Sequence, residues 1–370
     1  MSVSERKETD PRLISTAGYI PTLDGWRALA VLAVIVFHGV SPQSAGFAMA
    51  SEGYRGVSVF FGISGFLICS KLLQEEVRSG TINLVGFYVR RAFRIIPPAI
   101  AYLAVIGLAG VIGVLPRLPK SEWLSCLLFY RNYVAPTHAT FTRYTGHYWS
   151  LSVEEHFYFF LPGTVYLMGA AGARVFVPLL AVGVGLWRAC DSHYLLFDRM
   201  LPGTYAPERT DRTMDGLLWG AALALVLTNK SLQKWVGRNL TMFVWTLLLA
   251  AYVLVAALKP PFSMMMEGML IPVLLYGTTL HPASYAGRFL ENAFVRWIGR
   301  ISYSLYLWQQ VFFIARFAPP AVPQTFPLNA LGLLACAGAS YYLIERPMIT
   351  MGHRLFRSPA LTPPALRSAT

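Results

Sequence analysis

Long apolar segments recur along the whole chain and are separated by short polar stretches. A helix that crosses a bilayer needs about 20 mostly apolar residues. Segments of this kind are found at 23–40, 54–73, 97–115, 147–168, 174–190, 212–228, 240–258, 265–281, 298–317 and 328–346. The pattern predicts an all-α membrane protein with about ten transmembrane helices in one bundle. The apolar stretch 121–134 is too short to span and is interpreted as re-entrant or interfacial.

The composition favours a membrane protein over a soluble one. Of the 370 residues, 55% are hydrophobic and 13% are charged, whereas soluble domains carry about a quarter charged residues. We therefore expect a cytoplasmic N-terminal segment at 1–22, one transmembrane domain at 23–347 and a flexible cytoplasmic tail at 348–370.

The basic residues indicate an orientation in the membrane. The chain has 31 Lys and Arg residues against 18 Asp and Glu residues, a net charge of +13. If both termini are cytoplasmic, the cytoplasmic side and its span mouths hold 20 of the 31 basic residues, as the positive-inside tendency requires. The chain lacks a long basic run, a stacking-rich soluble module and a CxxC pair, so we predict neither nucleic-acid binding nor a metal site.

Two ionisable residues share one face of the first predicted span. Arg27 and His38 are eleven residues apart, which places them about 16 Å apart along a helix axis and within roughly 20° of the same face. We expect Arg27 at the cytoplasmic mouth and His38 deep in the span. Ionisable groups inside a membrane are costly and mark functional sites, and histidine is suited to general-base chemistry. The alternative is a hydrogen bond from His38 to a neighbouring helix.

Three arginines stand at the cytoplasmic entrance of the third span, in FYVRRAFRIIPP. Arg90, Arg91 and Arg94 are followed by Pro97 and Pro98. Guanidinium groups bind phosphates through paired hydrogen bonds, so the spacing favours an anion site. A plain positive-inside anchor would also be basic and remains the alternative.

The fourth span begins with HYWSLSVEEHFYFFLP and carries adjacent carboxylates, Glu154 and Glu155. Ser150, Glu154 and Tyr158 follow one another at intervals of four and share a helix face. Buried acids need partners, so this face predicts either a catalytic group or a structural polar network.

Other polar residues in the spans are weaker candidates. Arg212 and Asp215 are three residues apart in the sixth span and can pair within the helix, while His147 and His156 are expected near an interface. In the ninth span, ISYSLYLWQQ includes Gln309. The small residues Gly62, Ser64 and Gly65 of the second span predict close helix approach.

Seven stretches of the sequence, in the order in which they occur, resemble the integral-membrane acyltransferase-3 family. Members of this family are bacterial O-acyltransferases of surface glycans and other acceptors. The resemblance extends from about Tyr19 to Pro347. The stretches that carry it are LDGWRALAVLAVIVFH, FFGISGFLI, FYVRRAFRIIPP, YWSLSVEEHFY, RTMDGLLWG, ISYSLYLW and YYLIERP. The sequence departs from the family at Gln309, where many members have His, and at His156, where Gln is usual.

The resemblance implies roles for individual residues. His38 and Glu154 would be catalytic, and Arg91 and Arg94 would bind acyl-CoA. The remaining predicted site residues are Arg27 and Arg90 for the donor, and Tyr158, Arg212, Asp215 and Gln309 for the acceptor.

The implied activity is acyl transfer from acyl-CoA, with acetyl-CoA as the expected donor, to a sugar or glycan hydroxyl in the cytoplasmic (inner) membrane. His38 would deprotonate the attacking hydroxyl or carry the acyl group. A small secondary metabolite such as a macrolide is the alternative acceptor. A proton-coupled transporter is the competing class, because intramembrane His, Glu, Asp and Arg residues also fit a proton relay.

Overall fold

The computed structural model describes residues 19–134, 143–200, 206–317 and 321–355, which form helices and no strand. This confirms the predicted all-α class. The helices are α1 (Pro21–Gly39), α2 (Phe47–Ser51), α3 (Arg55–Ser79), α4 (Leu84–Val111), α5 (Lys120–Leu127), α6 (Tyr148–Tyr194), α7 (Leu196–Met200), α8 (Thr210–Thr213), α9 (Asp215–Val226), α10 (Lys230–Asn239), α11 (Met242–Leu258), α12 (Ser263–Leu280), α13 (Tyr285–Leu290), α14 (Ala293–Arg300), α15 (Ser302–Phe312), α16 (Leu328–Ser340) and α17 (Arg346–Leu355).

The predicted count of ten spans is not confirmed. Within the described residues, six helical segments are long and apolar enough to cross a membrane, or seven if α10 and α11 form one span bent by 86°. Every predicted span contains helix, but α9 has only 12 residues, about 18 Å, which is short of a hydrocarbon core of about 30 Å. The predicted ninth span is divided between α14 and α15. The orientation of the termini stays a prediction.

The predicted fourth and fifth spans join in one 47-residue helix, α6. At Gly169 the backbone leaves the helical region, with φ 62° and ψ 173°. Only glycine adopts this conformation readily, so the residue separates two helical halves that the hydrophobic pattern had assigned to two spans.

The last helical segment continues beyond the predicted end of the tenth span. A π-helical turn at Tyr341–Glu345 leads from α16 into α17, which packs against α4. The predicted flexible tail from residue 348 is therefore helical as far as Leu355. Residues 1–18 of the predicted N-terminal segment and residues 356–370 of the tail lie outside the described residues.

Glycines allow α3 and α9 to pack backbone against backbone, as the small residues of the second span predicted. A Cβ atom on Gly65 would lie 1.9 Å from the Leu217 carbonyl oxygen, and one on Gly220 would lie 2.4 Å from the Gly62 carbonyl oxygen. Since α9 also packs against α6, this contact helps to position the helix that carries Glu154.

We expect Gly65→Ala to destabilise the protein, because the new methyl group meets backbone that cannot rotate away. Overpacking of this kind costs about 1–3 kcal/mol, which should lower the Tm of the detergent-solubilised protein. Gly163→Ala in α6 is the matched control, since a Cβ there has no atom within 4 Å. Equal Tm values for the two variants would contradict the close contact between α3 and α9.

Candidate active site

One cavity lies between five helices that are distant along the chain. It is lined by α1, α3, α4, α6 and α15. The lining residues are Arg27, Val57, Phe60, Ser64, Arg91, Arg94, Ile95, Ser150, Leu151, Glu154, Glu155, Tyr158, Ser302, Tyr303 and Tyr306. Of the ten residues predicted for the site, the structure brings five into this cavity, namely Arg27, Arg91, Arg94, Glu154 and Tyr158.

Glu154 is held by hydroxyl groups rather than by a basic side chain. The Tyr158 hydroxyl donates to Glu154 Oε2 at 2.5 Å, and the Ser64 hydroxyl lies 3.4 Å from Oε1. Tyr158 is one helical turn after Glu154, as the spacing of four predicted. A carboxylate accepts these bonds and remains accessible to the cavity, so it can contact a ligand there.

Arg27, Arg91 and Arg94 bring three positive charges to the same cavity. The Arg91 guanidinium carbon lies 5.1 Å from the centre of the Tyr158 ring and 5.9 Å from that of Phe87. Among the described residues, no carboxylate lies within ion-pair distance of any of the three guanidinium groups. Like charges in a low-dielectric site repel strongly. The arrangement is therefore suited to an anionic ligand that several guanidinium groups can bind at once.

Arg90 lies outside the cavity, although the sequence grouped it with Arg91 and Arg94. Its guanidinium is 3.6 Å from the carboxylate of Glu75 at the end of α3. Adjacent residues point about 100° apart around a helix, so Arg90 and Arg91 cannot face the same site. Arg91 and Arg94, three residues apart, do so.

Further cations surround the arginines. Lys71 in α3 and His353 in α17 both interact electrostatically with Arg90, Arg91 and Arg94. They lie far from the arginine motif in sequence, so local spacing could not have identified them.

His38 is buried, with 8% of its surface exposed, but it lies in the last turn of α1 rather than deep in the span. Its Nδ1 is 2.9 Å from the Val34 carbonyl oxygen, and its Nε2 is 3.2 Å from the side-chain nitrogen of Gln310. The ring does not line the cavity. The predicted placement at mid-span is thus corrected, because α1 ends at Gly39, one residue after His38.

His147 links the cavity wall to His38. The hydroxyls of Ser150 and Tyr306, which line the cavity, lie 2.6 Å apart and are 3.1 and 3.2 Å from the His147 carbonyl oxygen, so one hydroxyl can donate to that oxygen while the other donates to its neighbour. The Nδ1 of His147 is 2.9 Å from Gln310 Oε1. His147 is 2% exposed. Its side chain is therefore packed inside the protein, and its predicted position near the membrane interface stays a prediction.

Arg212 and Asp215 do not form the pair that their spacing predicted. Arg188 in α6 binds both carboxylate oxygens of Asp215, at 2.8 and 2.7 Å. Arg212 instead lies 3.4 Å from Asp191 and donates to Ser192 at 2.6 Å. Neither residue lines the cavity, and these contacts join α6 to α8 and α9.

The same cluster continues into the segment before α8. Arg209 pairs with Asp191 at 3.0 Å and with Asp211 at 2.9 Å. Burial raises the pKa of Asp211, but hydrogen bonds from Arg209 and Trp187 outweigh burial and hold that pKa below its ordinary value. This side of the protein is a network of ion pairs between neighbouring helices.

Two other predicted positions also fall outside the cavity. Gln309 is fully buried, and its side-chain oxygen and nitrogen have no hydrogen-bond partner among the described residues. His156 Nδ1 lies 2.6 Å from the Thr210 hydroxyl. The glutamine that contacts His38 is Gln310, the neighbour of the predicted Gln309. Within the described residues, no group of three or more His, Cys, Asp and Glu side chains could hold a metal ion.

Comparison with known proteins agrees with this arrangement. Residues 20–345 match the family model described as an acyltransferase domain. The chain is 28% identical over 361 residues to the peptidoglycan O-acetyltransferase OatA of Listeria monocytogenes, covering 89% of this chain and 56% of that protein. It is 27% identical over 368 residues to the O-acetyltransferase OatA of Staphylococcus aureus, covering 91% and 58%.

The chain thus spans somewhat more than half the length of these curated relatives. No solved structure matches it. The family match covers most of the chain and includes every helix that lines the cavity. The chain therefore belongs to the integral-membrane acyltransferase-3 family.

Proposed function

We propose that this protein is an acyl-CoA-dependent O-acyltransferase of the inner membrane, which transfers an acetyl group to a hydroxyl of a glycan. The observation that carries the proposal is the set of three cavity arginines, Arg27, Arg91 and Arg94, for which the described residues provide no salt bridge. Phosphate groups are the ligands that such guanidinium clusters bind best. Coenzyme A supplies several phosphates at one end of the molecule.

The distance between the arginines and His38 fits a donor with separate binding and reacting ends. Arg27 and His38 lie about 16 Å apart along α1. Arg27 lines the cavity, and hydrogen bonds through His147 and Gln310 connect the cavity wall at Ser150 to His38. A donor with its phosphates at Arg91 and Arg94 would need a long arm to bring its thioester to His38. The pantetheine arm of coenzyme A is such a group.

His38 can carry the chemistry in one of two ways. As a general base, it would take the proton of the acceptor hydroxyl while the oxygen attacks the thioester carbonyl, and the proton would leave with the thiol. As a nucleophile, its Nε2 would attack the thioester carbonyl and expel the coenzyme A thiolate, leaving an acyl-imidazole. The acceptor hydroxyl would then displace the ring, which takes the hydroxyl proton and passes it to the thiolate. Glu154, held by Tyr158 and Ser64, would orient the donor or the acceptor from the cavity.

A glycan is the acceptor class that we propose. The Listeria relative is a peptidoglycan O-acetyltransferase by name, and its similarity includes the helices that form the cavity. A macrolide-like acceptor and a proton-coupled transport function are the alternatives. The pairing of Asp215 with Arg188 weakens the transport alternative, because it takes a buried carboxylate out of a relay.

The proposal is tested with the purified full-length protein in detergent. We expect it to release thiol from acetyl-CoA slowly by itself and faster when peptidoglycan fragments are added, with one acetyl group appearing on the fragment by mass spectrometry. Preferred acetylation of a macrolide would favour the small-molecule alternative. Solute uptake into proteoliposomes without thiol release would support the transporter and contradict the proposal.

A further inference from the structure

Two buried histidines are joined by one side-chain amide. Gln310 Nε2 lies 3.2 Å from His38 Nε2, and Gln310 Oε1 lies 2.9 Å from His147 Nδ1. The three side chains are 8%, 4% and 2% exposed for His38, Gln310 and His147. They come from α1, α15 and the turn before α6, so the contact exists only in the folded protein.

The hydrogen bonds determine which nitrogen of each ring carries a proton. The Val34 carbonyl oxygen can only accept, so Nδ1 of His38 must donate to it. In the neutral ring, Nε2 then carries the lone pair, and it must accept from the Gln310 amide nitrogen. That orientation directs Gln310 Oε1 at His147, whose Nδ1 must therefore carry hydrogen.

We infer that Gln310 and His147 are positioning residues which hold the neutral His38 ring with its Nε2 lone pair free to react. The inference rests on the proposed function, in which Nε2 takes a proton or an acyl group. If the side-chain amide of Gln310 were rotated by half a turn, its oxygen would face the lone pair on His38 Nε2 and the two would repel each other. The His147 N–H prevents this by holding the amide oxygen.

The Gln310 N–H and a reacting hydroxyl would use the same lone pair of His38. The hydrogen bond between Gln310 and His38 is 3.2 Å long, whereas the bonds from Gln310 to His147 and from His38 to the Val34 carbonyl oxygen are each 2.9 Å long. A reacting hydroxyl would replace the longer bond at the single Nε2 lone pair. His147 is itself held from the cavity side through its carbonyl oxygen, by Ser150 and Tyr306, so the position of the amide depends on the wall of the donor cavity.

The first test compares His147→Asn with His147→Gln. The asparagine amide can place an N–H where Nδ1 stands, whereas the glutamine amide reaches the position of Nε2. We expect the Asn variant to keep most of the transfer rate and the Gln variant to lose about tenfold, the upper end for one neutral hydrogen bond. If His147 only filled space, the Gln variant would have the higher transfer rate, because Gln is closer to His in size. Equal rates, or a faster Gln variant, measured on the monodisperse fraction, would overturn the inference.

The second test changes the amide itself. In Gln310→Glu, two acceptor oxygens would face His38 and His147, which favours a protonated His38 ring. The acid-side limb of the pH–rate profile should therefore move to higher pH by about one unit or more. The other charged or titratable groups that act on His38 are Arg316 and His147, and both are unchanged. The exposed Gln43→Glu variant on the loop after α1 should keep the wild-type profile.

A measurement without any donor separates this inference from the proposed function. Diethyl pyrocarbonate modifies unprotonated imidazole, and peptide mass spectrometry reports its rate at His38. We expect this rate at neutral pH to be several-fold slower in Gln310→Glu than in Gln43→Glu. Equal modification rates would refute the positioning role. The wild-type protein could lack acetyl transfer and the modification rates of the two variants could still differ. That result would refute the proposed donor or acceptor and leave the positioning role in place.

Discussion

Replacement of His38 by alanine is expected to abolish acyl transfer while the protein remains folded. In the proposed reaction the imidazole Nε2 of His38 is the atom that would take the hydroxyl proton or the acyl group. General acid–base catalysis contributes about 10²–10⁴-fold to a rate, so the loss should be at least a hundredfold. Thiol release from acetyl-CoA and acetylation of the acceptor, measured on the same preparation, would quantify it.

The control for this variant is His193→Ala, because His193 is exposed in the last turn of α6. That variant should turn over like the wild type. Binding of coenzyme A should survive in His38→Ala, since His38 does not line the cavity. Near wild-type turnover in His38→Ala would exclude the ring as the catalytic centre. Acid-quenched protein that retains a labelled acetyl group only when His38 is present would support the covalent route.

Replacement of Arg91 or Arg94 by alanine is expected to weaken donor binding. Both guanidinium groups line the cavity, and neither has a carboxylate partner among the described residues. A charge-assisted hydrogen bond is worth about 1.5–3 kcal/mol, so each loss should raise the Kd for coenzyme A by about ten- to a hundredfold. Calorimetry on the detergent-solubilised variants measures this change directly.

Lysine variants separate a phosphate site from a positive-inside anchor. Arg91→Lys and Arg94→Lys keep the charge but lose the planar fork, so we expect only partial recovery of affinity. The exposed Arg78→Ala variant at the end of α3 is the control and should bind coenzyme A like the wild type. Full recovery by lysine, or equal affinity in all variants with correct insertion, would leave the two arginines as topology anchors.

The spacing of residues along the chain was sufficient to predict which side chains lie on the same face of one helix. The interval of four predicted that Glu154 and Tyr158 share a helix face, where the structure shows their hydrogen bond. The small residues Gly62 and Gly65 predicted the close approach of α3 to another helix. The structure contains helix in each of the ten segments that the hydrophobic pattern predicted as spans. These features depend on the 3.6-residue repeat and on side-chain size, both of which can be read directly from a sequence.

The number of spans could not be obtained in the same way. Hydropathy reports how apolar a stretch is, but a helix end depends on backbone conformation and on neighbouring helices. Gly169 interrupts α6 within an apolar region, and α9 has only 12 residues.

Pairings between helices followed from the packing of the bundle. Arg188 rather than Arg212 holds Asp215, and Gln310 rather than Gln309 meets His38. Gln310 is 272 residues from His38 and 163 from His147, and no periodicity relates positions so far apart. From the chain alone one obtains the helical class, the family resemblance and the residue types needed for acyl transfer. Which arginines face the cavity and which amide orients the histidine depend on how the helices rotate and cross, because each of these contacts joins side chains from separate helices.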